Sequence, residues 1–266
     1  MYIPYQQLAN KIGLKEDDIL LIASDISKLA YTALNNKEII NTNLFVDSFK
    51  NKLNKGALLF PAFMSGFKTG YTFDKLNDSP DMGVLSKLSF QRSDFIRTLD
   101  PMHSFMVWGR GAEELVAIKS DSTFGPTSVF AYLKNKKAKM LLIDLDLEHG
   151  FTFSHFVEEC MKVSYRHYVD IEYKYLNEDR VEVYEKLKFY TKNKGIVNTI
   201  NKLEPILIKE KALLKFELNK SVFRLINLAD AYEVICRDIT GNKAQNLHSF
   251  VVKNYIRSTL KKMLGR

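Results

Sequence analysis

The run Met140-Leu141-Leu142-Ile143-Asp144-Leu145, followed by a short polar turn to Gly150 and then by Thr152-Phe153-Ser154-His155-Phe156-Val157-Glu158-Glu159, decides how this chain is read. A short apolar run closed by turn residues reads as a buried strand, and the segment after it as the first turns of a helix. A strand that feeds a helix in this way belongs to a domain of packed sheet and helix layers. Within the helix, His155 is followed three and four residues later by Glu158 and Glu159, spacings that share one helical face. An imidazole held beside a carboxylate is the arrangement of a general base. The same spacing also fits a surface histidine beside ordinary helix-start acids.

The alternation extends outward from that stretch. Tyr5 to Ile12 suggests a first helix, and Glu16-Asp17-Asp18 leads into a buried strand at Ile19 to Ala23. Phe45 to Leu53 is helical, Lys55-Gly56 turns the chain, and Ala57 to Phe60 is a strand ended by Pro61. Phe105 to Trp108 is strand-like, while Gly111 to Lys119 and Val129 to Leu133 read as helices. Between them, residues 64–101 are rich in Gly, Ser, Asp and Thr. An irregular segment that long is expected to be functional or mobile. After Tyr168 the pattern changes. Lys174 to Tyr184 is largely polar, Leu214 to Leu218 alternates as an exposed strand does, and Leu225 to Cys236 reads as a helix. The tail places Leu247, Phe250, Val251, Ile256, Leu260, Met263 and Leu264 near one face of a helix, with Lys and Arg opposite. Such a face is expected to dock on the chain's own core. Strands interleaved with helices predict an α/β or mixed α+β fold.

Composition bounds the function classes. The apolar share of 46%, with 18 Phe and 13 Tyr along 266 residues, is ample for a packed core and excludes a disordered chain. Cys160 and Cys236 form no metal-ligand spacing, and two thiols in a chain this size fit a reducing, cytoplasmic compartment. No apolar run approaches the roughly 18 residues of a membrane span, so no membrane insertion is expected. Met1-Tyr2-Ile3-Pro4 lacks the basic start and apolar stretch of a signal peptide. The net charge of +8 favours anionic partners. A nucleic-acid-binding module would need Lys or Arg interleaved with aromatics on one face. That pattern is absent, and nucleic acid is not expected as a partner. There is no Gly-rich nucleotide loop, HExxH or cysteine cluster, so no metal is expected.

Several motifs fall in a characteristic order: Gly56-Ala57-Leu58-Leu59-Phe60-Pro61; Phe73-Asp74 and Ser79-Pro80-Asp81-Met82-Gly83; Arg97 through Phe105, then Gly109 and Ala112; Phe124-Gly125-Pro126-Thr127-Ser128; Thr152, His155 and Glu158; and Tyr165-Arg166. Together they cover about residues 18–170, and their order resembles the aminoglycoside 3-N-acetyltransferase-like family of acyl-CoA-dependent N-acyltransferases. The resemblance implies one acyltransferase domain over residues 1–266, its more variable part at 171–266. It implies a central mixed, largely antiparallel sheet flanked by helices, with acetyl-CoA or another acyl-CoA as co-substrate. The sequence departs from the family pattern at Ala23-Ser24-Asp25, at Asp100 and at Lys87.

Within that resemblance His155 is the base, Glu158 orients it and Glu159 is a weaker candidate. His103 is the rival base, or a polar residue bordering a strand. Ser104 or Thr152 is the candidate donor to the oxyanion of acyl transfer, although Thr152 also suits a helix cap. Backbone donors at Ser24 and Ser27 are expected to meet the coenzyme, and Phe124-Gly125 to shape its groove. Asp100, His103, Arg97, Lys87 and Glu159 are expected on the acceptor side. Arg97 and Arg166 are each a phosphate fork or a structural salt bridge. Because the chain is basic, the favoured acceptor is a small-molecule amine carried on an anionic group, such as a nucleotide-linked amino sugar, with Lys87, Arg92 and Arg97 meeting its phosphates. An aminoglycoside is the alternative.

Overall fold

Strands β1 (Ile19–Ser24), β2 (Ala57–Pro61) and β6 (Lys139–Ile143) form the centre of the molecule in a computed structural model that describes residues 2–263, with side chains described through Arg257. β1 pairs in parallel with both neighbours. Their runs are apolar on both sides because both sides are covered. Leu21, Ala23, Leu59, Met140 and Leu142 point into one core; Leu20, Ile22, Leu58, Phe60, Leu141 and Ile143 point into the other. Gly56 permits the entry of β2. A Cβ there would lie 2.0 Å from the carbonyl oxygen of Asp18, which accepts the N–H of Ala57.

The helices and remaining strands of the first half are α1 (Ser27–Asn35), α2 (Thr42–Lys52), β3 (Thr72–Phe73), α3 (Val84–Gln91), β4 (Ile96–Arg97), β5 (Phe105–Gly109), α4 (Ala112–Val116) and α5 (Val129–Asn135). After β6 come α6 (Leu147–Gly150), α7 (Phe153–Cys160), β7 (Arg166–Leu176), β8 (Glu182–Lys192), β9 (Ile196–Asn198), α8 (Glu204–Lys209), β10 (Leu213–Leu218), β11 (Ser221–Asn227), α9 (Leu228–Asn242), β12 (His248–Phe250) and α10 (Val252–Met263). The seven-stranded sheet runs β10-β11-β6-β1-β2-β5-β4. Its outer pairings on both sides are antiparallel, so the sheet is mixed and largely antiparallel, flanked by helices. A second sheet, β3-β7-β8, is built on the long β7–β8 hairpin.

Four expectations are corrected. Residues 64–101 carry α3 and two short strands as well as loops. The polar stretch 174–184 is the tip of the β7–β8 hairpin, whose inward residues Ile171, Tyr173 and Leu187 close a small core with Phe67 and Phe73. The expected helix from Leu225 begins at Leu228, because Asn227 Oδ1 accepts the N–H groups of Ala229 and Asp230 and caps it, while Leu225 and Ile226 still pair with β6. In the tail, Leu247 is buried but Val252 and Ile256 are exposed, so the described part of α10 does not dock its apolar face. Leu260, Met263 and Leu264 lie outside the described side chains.

Candidate active site

His155 stands on the first turn of α7, after the short helix α6 that follows β6. Its Nδ1 lies 2.7 Å from Glu158 Oε2. The same carboxylate oxygen accepts Arg166 Nη2 at 2.8 Å, and Glu158 Oε1 accepts the Tyr165 hydroxyl at 2.8 Å. Arg166 Nη2 also approaches His155 Nδ1 at 2.8 Å. An ionised carboxylate only accepts hydrogen bonds. A guanidinium only donates, so Nδ1 can satisfy one of its two contacts; Arg166 Nη2 already donates to Glu158 Oε2, and with the Nδ1 proton assigned to the shorter Glu158 contact the lone pair lies on Nε2. Burial pushes the His155 pKa down, against the opposing pull of Glu158, so the imidazole is neutral at pH 7. Burial raises the Glu158 pKa, but the hydrogen bonds from His155 and Tyr165 and the charge of Arg166 outweigh it, and the net shift is downward.

Two cavities are lined by residues that neighbour this group in the chain or in packing. One, of about 200 Å³, is lined by Asp100, His103, Lys119, Asp121, Tyr173 and Glu185, among others. The second, of about 180 Å³, is lined by Ser24, Phe63, Met82, Gly83, His149 and Thr152, among others. His155 belongs to the lining of neither. Thr152, one helical turn before it, opens on the second cavity. His103, whose own pKa is lowered by burial and by the neighbouring His155, opens on the first. The Phe124 ring packs against both imidazoles, with centroids 4.8 Å from His103 and 5.5 Å from His155.

The expected residues divide on burial and bonding. Thr152 does not cap α7 with its side chain; its hydroxyl has no partner among the described residues and faces the second cavity. Ser24 lines that cavity. Ser27 does not. Its N–H donates to Asp25 Oδ1 at 2.9 Å, so a carboxylate already occupies the start of α1. Phe124 is 1% exposed and packs against both imidazoles. Gly125 belongs to the same tight turn, where a Cβ would fall 3.0 Å from Ser122 Cβ and 3.4 Å from Glu159 Oε1.

Ser104 is fully buried. Its hydroxyl donates to the Ala62 carbonyl at 2.8 Å and accepts Arg97 Nε at 3.0 Å, so that hydroxyl is engaged within the fold. Arg97 is spent the same way: Nη2 donates to Ala62 O at 2.8 Å and Nη1 to the carbonyl of Asp78. From β4 it ties the carbonyls of Ala62 and Asp78 to Ser104, just ahead of β5. Arg92 is committed to Asp47 and Asp94. Lys87 is exposed on α3 and lines neither cavity. Glu159 is buried, accepts Tyr168 Oη at 3.4 Å and lines neither cavity.

Asp100 and His103 do reach the first cavity. Asp100 Oδ1 accepts the N–H groups of Met102 and His103, each at 2.8 Å. Burial raises its pKa, and the His103 N–H opposes the rise. Burial also drives the His103 pKa down to about 3, and its Nδ1 is buried without a partner. Sequence reasoning missed Tyr173, Asp121 and Glu185 in this cavity, and Lys192, which stands opposite Arg166 in the hairpin register. The period-two pattern of the hairpin was the available signal. Among the described residues no group of three or more His, Cys, Asp or Glu is arranged to hold a metal ion.

The family model described as aminoglycoside 3-N-acetyltransferase matches residues 22–238. The chain belongs to that family. It is thus an acyl-CoA-dependent N-acetyltransferase that acts on an amino sugar. Among solved structures, an apramycin complex of aminoglycoside acetyltransferase AAC(3)-IVa superposes with a TM-score of 0.71 at 17% identity, over 92% of this chain and 95% of that one. The binary complex of AAC-IIIb with CoASH gives 0.75 at 15% identity, over 90% and 97%. YokD from Bacillus subtilis gives 0.71 at 15% identity, over 92% and 96%. At these identities the likeness establishes the fold. No curated protein sequence matches the chain.

Proposed function

We propose that the chain acylates a primary amine of an amino sugar bearing more than one ammonium group, with His155 as general base. The observation that carries this reading is the setting of His155: Nδ1 contacts Glu158, and Thr152, on the same helical turn, lines one cavity while His103, packed on the same Phe124 ring, lines the other. An amine is protonated at neutral pH and must lose a proton to attack a thioester, a task for neutral Nε2. Glu158 holds the tautomer and stabilises the imidazolium that forms. Thr152, with its free hydroxyl, is the donor best placed for the oxyanion.

The second cavity, narrow and part apolar with Ser24 and Thr152 at its wall, suits the pantetheine arm of acyl-CoA. The first suits the acceptor. Its acids are Asp100, Asp121 and Glu185, while Lys186 at its rim pairs with Glu172 at 2.8 Å. That leaves Lys119 against three carboxylates, which favours ammonium groups over phosphates. Arg92 and Arg97, two groups expected to receive a nucleotide-linked acceptor, are engaged in the fold. The test is thiol release from acetyl-CoA, scanned across aminoglycosides and nucleotide-linked amino sugars. Higher kcat/KM on the polycations is expected. Turnover confined to nucleotide-linked sugars would restore an anionic acceptor.

A further inference from the structure

After Asp238 the chain carries no acidic residue, while Lys243, Lys253, Arg257, Lys261, Lys262 and Arg266 place six of its basic residues there, against a net charge of +8. The folded part of this tail is anchored and presented outward. β12 pairs with β9, and the Val251 N–H donates to Gly195 O at 2.8 Å. Phe250, at the end of β12, is 56% exposed, and α10 leaves the anchor with Val252 and Ile256 at 61 and 51% exposure. Val252 and Ile256 are one helical turn apart on one face, and Lys253 and Arg257 are one turn apart on another. The sequence continues the apolar spacing four and seven residues beyond Ile256, at Leu260 and Met263. Lys194, exposed beside Gly195, adds another cation at the anchor.

We propose that α10 is a peripheral membrane contact that lies on an anionic phospholipid surface. An in-plane helix needs an aliphatic stripe to enter the acyl boundary and a cationic flank to meet the headgroups. This segment supplies both. No helix among the described residues is long and apolar enough to cross a membrane, so α10 lies on the surface and does not span it. Nucleic acid would use the cations but has no call on Val252 and Ile256. A second copy would bring two acid-free cationic tails together, which their charge opposes. The inference stands on residues 239–266 and is independent of the acceptor reading.

The test is co-sedimentation of the full-length protein with vesicles of phosphatidylglycerol mixed into phosphatidylcholine, and with phosphatidylcholine alone, across salt. Binding to the anionic vesicles, weak binding to the neutral ones and release by salt are expected. Each basic residue near the surface contributes a partition factor of roughly fivefold, so Lys253→Gln with Arg257→Gln weakens binding by roughly 25-fold. Val252→Asp with Ile256→Asp also abolishes binding. Both pairs keep wild-type turnover on a soluble acceptor, which shows the fold is intact. The proposal is overturned by any of four results: no binding to anionic vesicles at low salt, undiminished binding by the Val252/Ile256 pair, tighter binding to a single-stranded oligonucleotide than to the vesicles, or a protein dimer that the Val252/Ile256 pair dissolves.

Discussion

Replacing Glu158 by glutamine removes a charge while keeping the shape of the side chain, and the structure fixes what that does. The amide oxygen can still accept His155 Nδ1–H, so the tautomer survives. The carboxylate that stabilises the imidazolium does not. A hydrogen bond to a charged group contributes about 1.5–3 kcal/mol, so turnover falls roughly 10- to 150-fold. A second effect is structural. Arg166, its side chain 4% exposed, loses its counter-ion. Removing one partner of a buried pair costs about 3–5 kcal/mol, or roughly 10 °C in melting temperature for a chain near this size. Adding Arg166→Met removes the orphaned charge and recovers much of that stability without recovering turnover. Glu158 raises the His155 pKa, so its loss moves the acidic limb of kcat/KM to lower pH. The assay is thiol release from acetyl-CoA between pH 4.5 and 9, beside thermal melts. Wild-type turnover in folded Glu158→Gln, or an acidic limb displaced upward, would refute the reasoning.

Three further outcomes are expected. Arg97→Ala lowers stability by roughly 3 kcal/mol, because it strands buried acceptors, and leaves the acceptor KM of the folded enzyme unchanged; urea titration and steady-state kinetics check both. The folded His103 pKa, at about 3, lies below its unfolded value near 6.5. The folded chain therefore binds fewer protons, and the stability tied to His103 is full above about pH 6.5 and lost as pH falls toward about 3. His103→Phe flattens urea midpoints across that window. Burial pushes the Cys160 thiol up to about 11, so Cys160 reacts slowly with iodoacetamide at pH 7.5, Cys160→Ser keeps activity, and acid quenching traps no acyl-Cys160.

What could be read in the sequence depended on whether a residue's neighbours were local. The central strands were legible because both faces of β1, β2 and β6 are buried and their apolar runs are unbroken. The His155–Glu158 pair was legible because both residues sit on one turn of one helix. The β7–β8 hairpin was not, because only alternate residues face its small core and the exposed ones make the stretch look polar. The start of α9 was hidden because the apolar run of β11 continues into it, and only the Asn227 cap marks the change. Arg97 illustrates the limit on site residues. Its motif is visible, but its acceptors at Ala62 and Asp78 are distant in sequence, and charge alone does not say whether a guanidinium faces ligand or carbonyls. The departure at Asp25 was visible as a residue; that its carboxylate takes the Ser27 N–H was not.

The most direct test of His155 as the base is a comparison of His155→Ala with His103→Ala, with turnover and acetyl-CoA affinity measured for each. Loss of the base should lower kcat by roughly 100-fold or more in His155→Ala while acetyl-CoA binds as in the wild type, with His103→Ala affecting mainly the acceptor KM. A crippled His103→Ala beside a mildly affected His155→Ala would contradict the assignment.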